Sequence, residues 1–245
     1  MDEKTILGVR NLSVAFDGEE VLAGISFDVS RGDVVAIVGP NGAGKSVLLK
    51  TLLGLLPYKG NIRWANDAKV GHVPQRFQIE KSLPLTVGEF FLLHRGRFIL
   101  DRKRSEGRIR EALRMVEVPE SNIDERLGTL SGGQLQRILI AWALFDKPNI
   151  LLFDEPTAGI DIGGEHTIYN LLHELQDRFG ITIIMVSHEL NIVYRYATSV
   201  ICLDKKMVCS GPPREVLTPE ALAQLYGEPA YYHHAHDAAE IAKSV

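Results

Sequence analysis

Gly39-Pro40-Asn41-Gly42-Ala43-Gly44-Lys45-Ser46 decides how this chain is read. The apolar run Val34-Val35-Ala36-Ile37-Val38 precedes it and predicts a buried parallel strand. Val47-Leu48-Leu49-Lys50-Thr51-Leu52-Leu53 follows and predicts a helix. Strand, glycine-rich turn and helix at the spacing GxxxxGK[ST] make a phosphate-binding loop. Glycines let several backbone N–H groups converge on one anion, and the helix N-terminus adds partial positive charge. In such a loop Lys45 reaches the β- and γ-phosphates, and the Ser46 hydroxyl ligates Mg2+. The plain alternative is a glycine turn with no ligand, and the strand and helix on either side argue against it. The stretch implies a bound nucleoside triphosphate.

The 245 residues suffice for one large domain or two modest lobes. A formal charge of -4 gives no general pull toward nucleic acid. Apolar runs fall well short of the ~18 residues of a membrane span. Met1-Asp2-Glu3-Lys4 leads straight into strand-like sequence, without the pattern of a signal peptide. The two cysteines, with no CxxC, indicate neither a disulfide framework nor a zinc ribbon. A cytosolic chain that meets membranes through a partner is the expectation.

Residues 5–35 read as short strands, with Asp17-Gly18 as a hairpin turn. Gly60 to Val73 predicts a further strand pair turning at Asn66-Asp67. From Gln75 to about Trp142 helical periods replace strand runs, as in Val87–Leu93 and Ile109–Val116. The division predicted is an α/β core with an antiparallel β subdomain over 1–75 and 143–225, a helical subdomain over 76–142, and a tail over 226–245. The helical part carries Arg95, Arg97, Arg102, Lys103, Arg104, Arg108, Arg110 and Arg114. A nucleic-acid or lipid-facing patch is one reading of that cluster. Interleaved Asp101, Glu106 and Glu111 favour a solvated face.

Ile150-Leu151-Leu152-Phe153-Asp154-Glu155 is an apolar strand ending in two carboxylates. In a phosphate-loop enzyme the first organises the Mg2+ shell and the second orients the attacking water. Upstream, Ser131 of Leu130-Ser131-Gly132-Gly133-Gln134 reads as a helix N-cap beside a bare anion-binding turn. Ser187-His188 follows the predicted strand at 181–186.

Phosphate loop, Gln75, LSGGQ, Asp154-Glu155 and His188, in that order, resemble the ATP-binding-cassette ATPases over about residues 5–225. The resemblance implies a RecA-like phosphate-loop core with an antiparallel β subdomain and an inserted helical subdomain. It implies ATP and Mg2+ as ligands, with Ser46, Gln75 and Asp154 at the ion. Phe16 matches the aromatic that stacks on adenine. Glu155 matches the general base, Gln75 the residue touching Mg2+ and water, and His188 the γ-phosphate contact. Gly39, Pro40, Asn41, Gly42, Ala43, Gly44, Lys45, Ser46 and Val47 match the phosphate cradle. Ser131, Gly132, Gly133, Gln134 and Asp161 match groups that face ATP across a homodimer. Val47 replaces the usual threonine and removes one hydroxyl, a loss on the order of 1 kcal/mol. Phe16 stands where tyrosine is commoner and keeps the stacking face.

A single cassette, with no long heptad insertion and no zinc module, favours a transport ATPase over a cassette acting on DNA or ribosomes. Val70–Arg76, Pro84–Val87, Glu155–Asp161 and Gly211–Leu217 look like the importers of zinc, manganese or iron. An importer of chelates or another solute, and a small exporter, stand as alternatives. The resemblance implies integral-membrane subunits contacted near Gln75 and the helical subdomain, a solute-binding protein outside the cytoplasm, and no nucleic acid. The chain itself would lie at the cytoplasmic face of the membrane.

Two further groups complete the reading. With Lys205-Lys206 as a two-residue loop, Cys202 and Cys209 face each other across a hairpin. Two small apolar residues in a reducing compartment are favoured there over a redox or metal pair. In the tail, His233, His234 and His236 beside Asp237 offer imidazoles to a transition metal, or form a solvated end.

Overall fold

A computed structural model describes residues 2–75, 77, 80, 83–93, 102–155 and 162–227, giving only the backbone at 102–104 and 162–166. Among these the strands form two sheets. β1 (Thr5–Phe16), β2 (Glu19–Ser30) and β4 (Lys59–Trp64) form an antiparallel sheet in the order β2-β1-β4. β3 (Val34–Val38), β5 (Val70–Val73), β6 (Ile150–Asp154), β7 (Thr182–Val186), β8 (Ser199–Asp204) and β9 (Lys206–Gly211) form the other, ordered β5-β6-β7-β3-β8-β9. All but β9 run parallel.

β3, β6 and β7 are buried at every position. Parallel strands covered on both faces read as continuous apolar runs. Successive side chains still point to opposite faces. Val35 and Ile37 therefore pack with Leu7, Ile25 and Leu48 on the antiparallel-sheet side. Ala36 and Val38 pack with Phe153, Leu172 and Leu139 on the other. Phe153 is fully buried, and its truncation to alanine costs about 3–5 kcal/mol.

The helices are α1 (Lys45–Leu52), α2 (Val87–Leu92), α3 (Arg102–Met115), α4 (Gly132–Leu144), α5 (Ile162–Phe179), α6 (Leu190–Tyr196), α7 (Pro213–Val216) and α8 (Pro219–Tyr226) among the described residues. Thr86 caps α2 reciprocally with Glu89, satisfying N–H groups that the first turn leaves unpaired. Phe90 stacks on Trp142 at 5.4 Å between ring centres, and Phe91 meets Phe145 edge-on at 5.3 Å. These rings join α2 to the end of α4.

Three expectations need correction or completion. β4 and β5 are consecutive but do not pair: β4 joins β1, whereas β5 joins β6 in the other sheet. The Asn66-Asp67 turn is thus a crossover between sheets. The β8–β9 hairpin turns on Lys205 alone, at φ 55°, and a register shift after Cys202 absorbs the difference. Cys202 does face Cys209, and the two are joined in a disulfide, where unlinked thiols are the sequence expectation.

The arginine cluster is a paired surface where it is described. Arg110 meets Glu106 at 2.6 Å and Glu120 at 3.2 Å. Arg114 meets Glu120 at 3.0 Å, and Arg108 lies over the Phe145 ring at 4.5 Å. Arg95 and Arg97 lie outside the described residues, as do the side chains of Arg102, Lys103 and Arg104.

Candidate nucleotide site

β3 runs between β7 and β8 and delivers its C-terminal end into the loop of Gly39 to Gly44. The loop needs glycine for two distinct reasons. Gly42 and Gly44 take φ of 82° and 93°, which L side chains rarely adopt. At Gly39 a Cβ would overlap the Leu203 carbonyl oxygen, and at Gly44 it would stand 2.6 Å from Leu22 Cδ2. The loop is pressed between β2 and β8. Lys45 begins α1, and its buried ammonium donates to the carbonyls of Gly39 at 2.7 Å and Pro40 at 2.8 Å. Burial pushes the ammonium below the ordinary lysine value, while Glu155 and Asp154 push it back up. Val47 is half-buried, and its carbonyl accepts from Thr51 Oγ1 at 2.7 Å.

The carboxylates of β6 reach the same place. Ser46 Oγ donates to Asp154 Oδ1 at 3.0 Å. Burial raises Asp154 above the usual carboxylate range; the Ser46 hydrogen bond opposes this and the charge of Glu155 adds to it. Glu155 follows at φ 52° and is held on both sides. Gln75 Nε2 donates to Oε2, and His188 Nε2 pairs with Oε1. Gln75, Glu155 and His188 come from three separate parallel strand ends, β5, β6 and β7, brought level by the sheet.

Ser131 caps α4 as the sequence predicts. Its hydroxyl accepts from Gln134 N–H at 3.2 Å, and the Gln134 side chain accepts from Ser131 N–H at 2.9 Å. Ser131, Gly132 and Gln134 are exposed and Gly133 is half-exposed. α4 packs on α3, α5 and β5, so its exposed start is carried by the helical part. Phe16 ends β1 and is 41% exposed as a residue. Asp161, His233, His234 and His236 lie outside the described residues.

Sequence reasoning passed over two contributors. His72, in β5, lies half-buried near Asp154; burial lowers it below the ordinary histidine value, and Asp154 opposes the shift. Only the alignment of β5 beside β6 brings the two together. Lys205 donates its backbone N–H to the Ala43 carbonyl at 3.0 Å and accepts from Ala23 N–H at 2.8 Å. No local signal marks a backbone contact between positions so distant in sequence.

Ser46 and Asp154 present a hydroxyl and a carboxylate, hard oxygen donors that suit Mg2+. Among the described residues no group of three or more His, Cys, Asp or Glu forms a cage. That donor set fits an ion that takes its remaining ligands from phosphate and water.

The sequence profile of the ABC transporter family matches residues 22–158. The chain belongs to that family. It is an ATP-binding cassette and an ATPase. A zinc import ATP-binding protein, ZnuC, of Pseudomonas entomophila is 38% identical over 237 residues, covering 95% of this chain and 89% of the relative. The ZnuC of Cereibacter sphaeroides is 40% identical over 224 residues, covering 91% and 89%. A solved ATP-binding cassette, dimeric in a post-hydrolysis state with ADP and phosphate, superposes at a TM-score of 0.72. It is 27% identical, over 85% of this cassette and 99% of the other. Among the described residues no helix is long and apolar enough to cross a membrane.

Proposed function

We propose that this cassette drives import of a metal ion, with zinc as cargo, as a homodimer docked on separate membrane subunits at the cytoplasmic face. The observation that carries the cargo is the 38% identity to a zinc import ATP-binding protein across 95% of the chain. Phe16 stacks on adenine, and the N–H groups from Gly39 to Lys45 receive the phosphates. Lys45 turns its ammonium to the β- and γ-phosphate oxygens. Ser46, Gln75 and Asp154 hold Mg2+, which supplies charge neutralisation at the phosphates. Glu155 takes the proton of the attacking water, and His188 contacts the γ-phosphate. Because Gln75 and His188 each hold one oxygen of Glu155, both orient the base.

The loop covers one side of ATP. Ser131 and Gly133 of a second copy, on the exposed start of α4, close the other and exclude water that is not reacting. By its resemblance to the family, Asp161 is assigned to the groups that face ATP across that interface. Gln75 and the helical part of 76–142 face the membrane subunits, and a solute-binding protein outside the cytoplasm delivers the ion. ATP joins the two copies and hydrolysis separates them, a two-state cycle able to move an attached protein.

Co-expression with the membrane subunit, followed by uptake of Zn2+, Mn2+ and Fe2+ in proteoliposomes, tests the cargo. Zn2+ should move only with ATP, and not with Glu155→Gln. An active ATPase that moves none of the three ions overturns the cargo. His233, His234 and His236 offer a further cytoplasmic site for the entering ion. Calorimetric Zn2+ titration of the full chain against a chain ending at Gly227 tests it, and identical curves dismiss it.

A further inference from the structure

The hairpin of β8 and β9 forms a wall of the phosphate loop, and a covalent bond closes it. Cys202 pairs on one side with Val38, the last residue of β3, and on the other with Cys209. One residue further along β8, the Leu203 carbonyl fills the space where a Gly39 side chain would start. At the tip, Lys205 ties the Ala43 carbonyl to the Ala23 N–H, with hydrogen bonds of 3.0 and 2.8 Å. Its ammonium lies 3.5 Å from Glu19 Oε1. The disulfide therefore sits between the strand that delivers the loop and the tip that braces it.

We propose that Cys202 and Cys209 form a thiol–disulfide site that sets the affinity of the phosphate loop for nucleotide, with a dithiol as reductant. Cys202 is fully buried, whereas Cys209 keeps partial exposure, which makes its sulfur the point of attack. A thiolate of the dithiol bonds to Cys209 Sγ, the bond to Cys202 breaks, and Cys202 leaves as a thiolate that takes a proton. The second thiolate of the dithiol then attacks its own sulfur in the mixed disulfide. Cys209 is released and protonated, and the dithiol ends as a disulfide. Two electrons and two protons pass to the cysteines.

The link restrains a short hairpin, and opening it returns freedom to the strand ends. The tip then holds Ala43 less firmly, and the loop spends less time in the shape that accepts phosphates. Reduction should weaken nucleotide binding about fivefold, the scale of one backbone hydrogen bond.

The test uses the full chain with Mg2+ and a fluorescent ATP analogue. Binding is titrated after diamide oxidation and after dithiothreitol reduction, with thiols counted by alkylation and mass spectrometry. The oxidised form should bind more tightly. The Cys202→Ala/Cys209→Ala double variant should match the reduced form and ignore both reagents. Equal affinities at verified counts of no thiol and two thiols overturn the proposal, as does a pair that diamide cannot close. If the double variant fails to fold, the two redox forms of the unaltered chain still decide. The titration contains no transported ion, so this experiment and the uptake experiment fail separately.

Discussion

The Ser46 hydroxyl donates to Asp154 Oδ1 at 3.0 Å, across 108 residues of chain. This contact fastens the start of α1 to the end of β6 and sets two oxygen donors side by side. Ser46→Ala removes one donor and leaves the raised carboxyl of Asp154 without its opposing hydrogen bond. The Mg2+ concentration for half-maximal ATPase should rise about tenfold, and Ser46→Thr should restore it. An unchanged Mg2+ titration for Ser46→Ala would remove the residue from the ion site.

Glu155→Gln keeps the size of the side chain and its contacts with Gln75 and His188 within reach, but removes the carboxylate proposed as the base. Turnover should fall about 10²–10⁴-fold while ATP binding persists. Light scattering with saturating Mg-ATP should show a stable dimer. Normal turnover from a monomer would reassign the base.

Two glycines of one loop should respond differently to alanine. At Gly39 the new Cβ meets the Leu203 backbone, which cannot give way without moving the hairpin. At Gly42 nothing lies within 4 Å, and the cost is that of φ 82° alone, about 1–2 kcal/mol. Fluorescent-nucleotide titration should find binding lost in Gly39→Ala and only weakened in Gly42→Ala. Equal losses would show that backbone conformation, not the hairpin wall, governs the loop.

Arg31 donates to both oxygens of Asp67, at 3.0 and 2.6 Å, across the crossover between the two sheets. That hydrogen bonding, chiefly, holds the Asp67 carboxyl below its ordinary value. The unfolded chain therefore binds the proton more readily. The pair's contribution is complete above about pH 4, the ordinary aspartate range, and is lost as pH falls through the lower folded value. Urea melts should place Asp67→Asn below the unaltered protein at about pH 7, with the gap closing as pH falls below the ordinary aspartate range and narrowing in high salt. A gap that persists in acid would assign the stability to packing.

Much of the site was legible because its chemistry needs particular residues at short, fixed spacings. The phosphate loop, the Asp154-Glu155 strand end and the Ser131 cap are each local, and each formed the element its sequence predicts. Continuous apolar runs likewise marked β3, β6 and β7, since a strand covered on both faces has no polar side. Tertiary structure alone decided which strands pair. Nothing local to Lys59–Val73 tells β4 to join β1 and β5 to join β6, because either pairing satisfies the same backbone hydrogen bonds. The same holds for His72 beside Asp154 and for Lys205 bracing Ala43. The sequence determines which groups are available for catalysis; the order of strands in the sheet determines which of them meet.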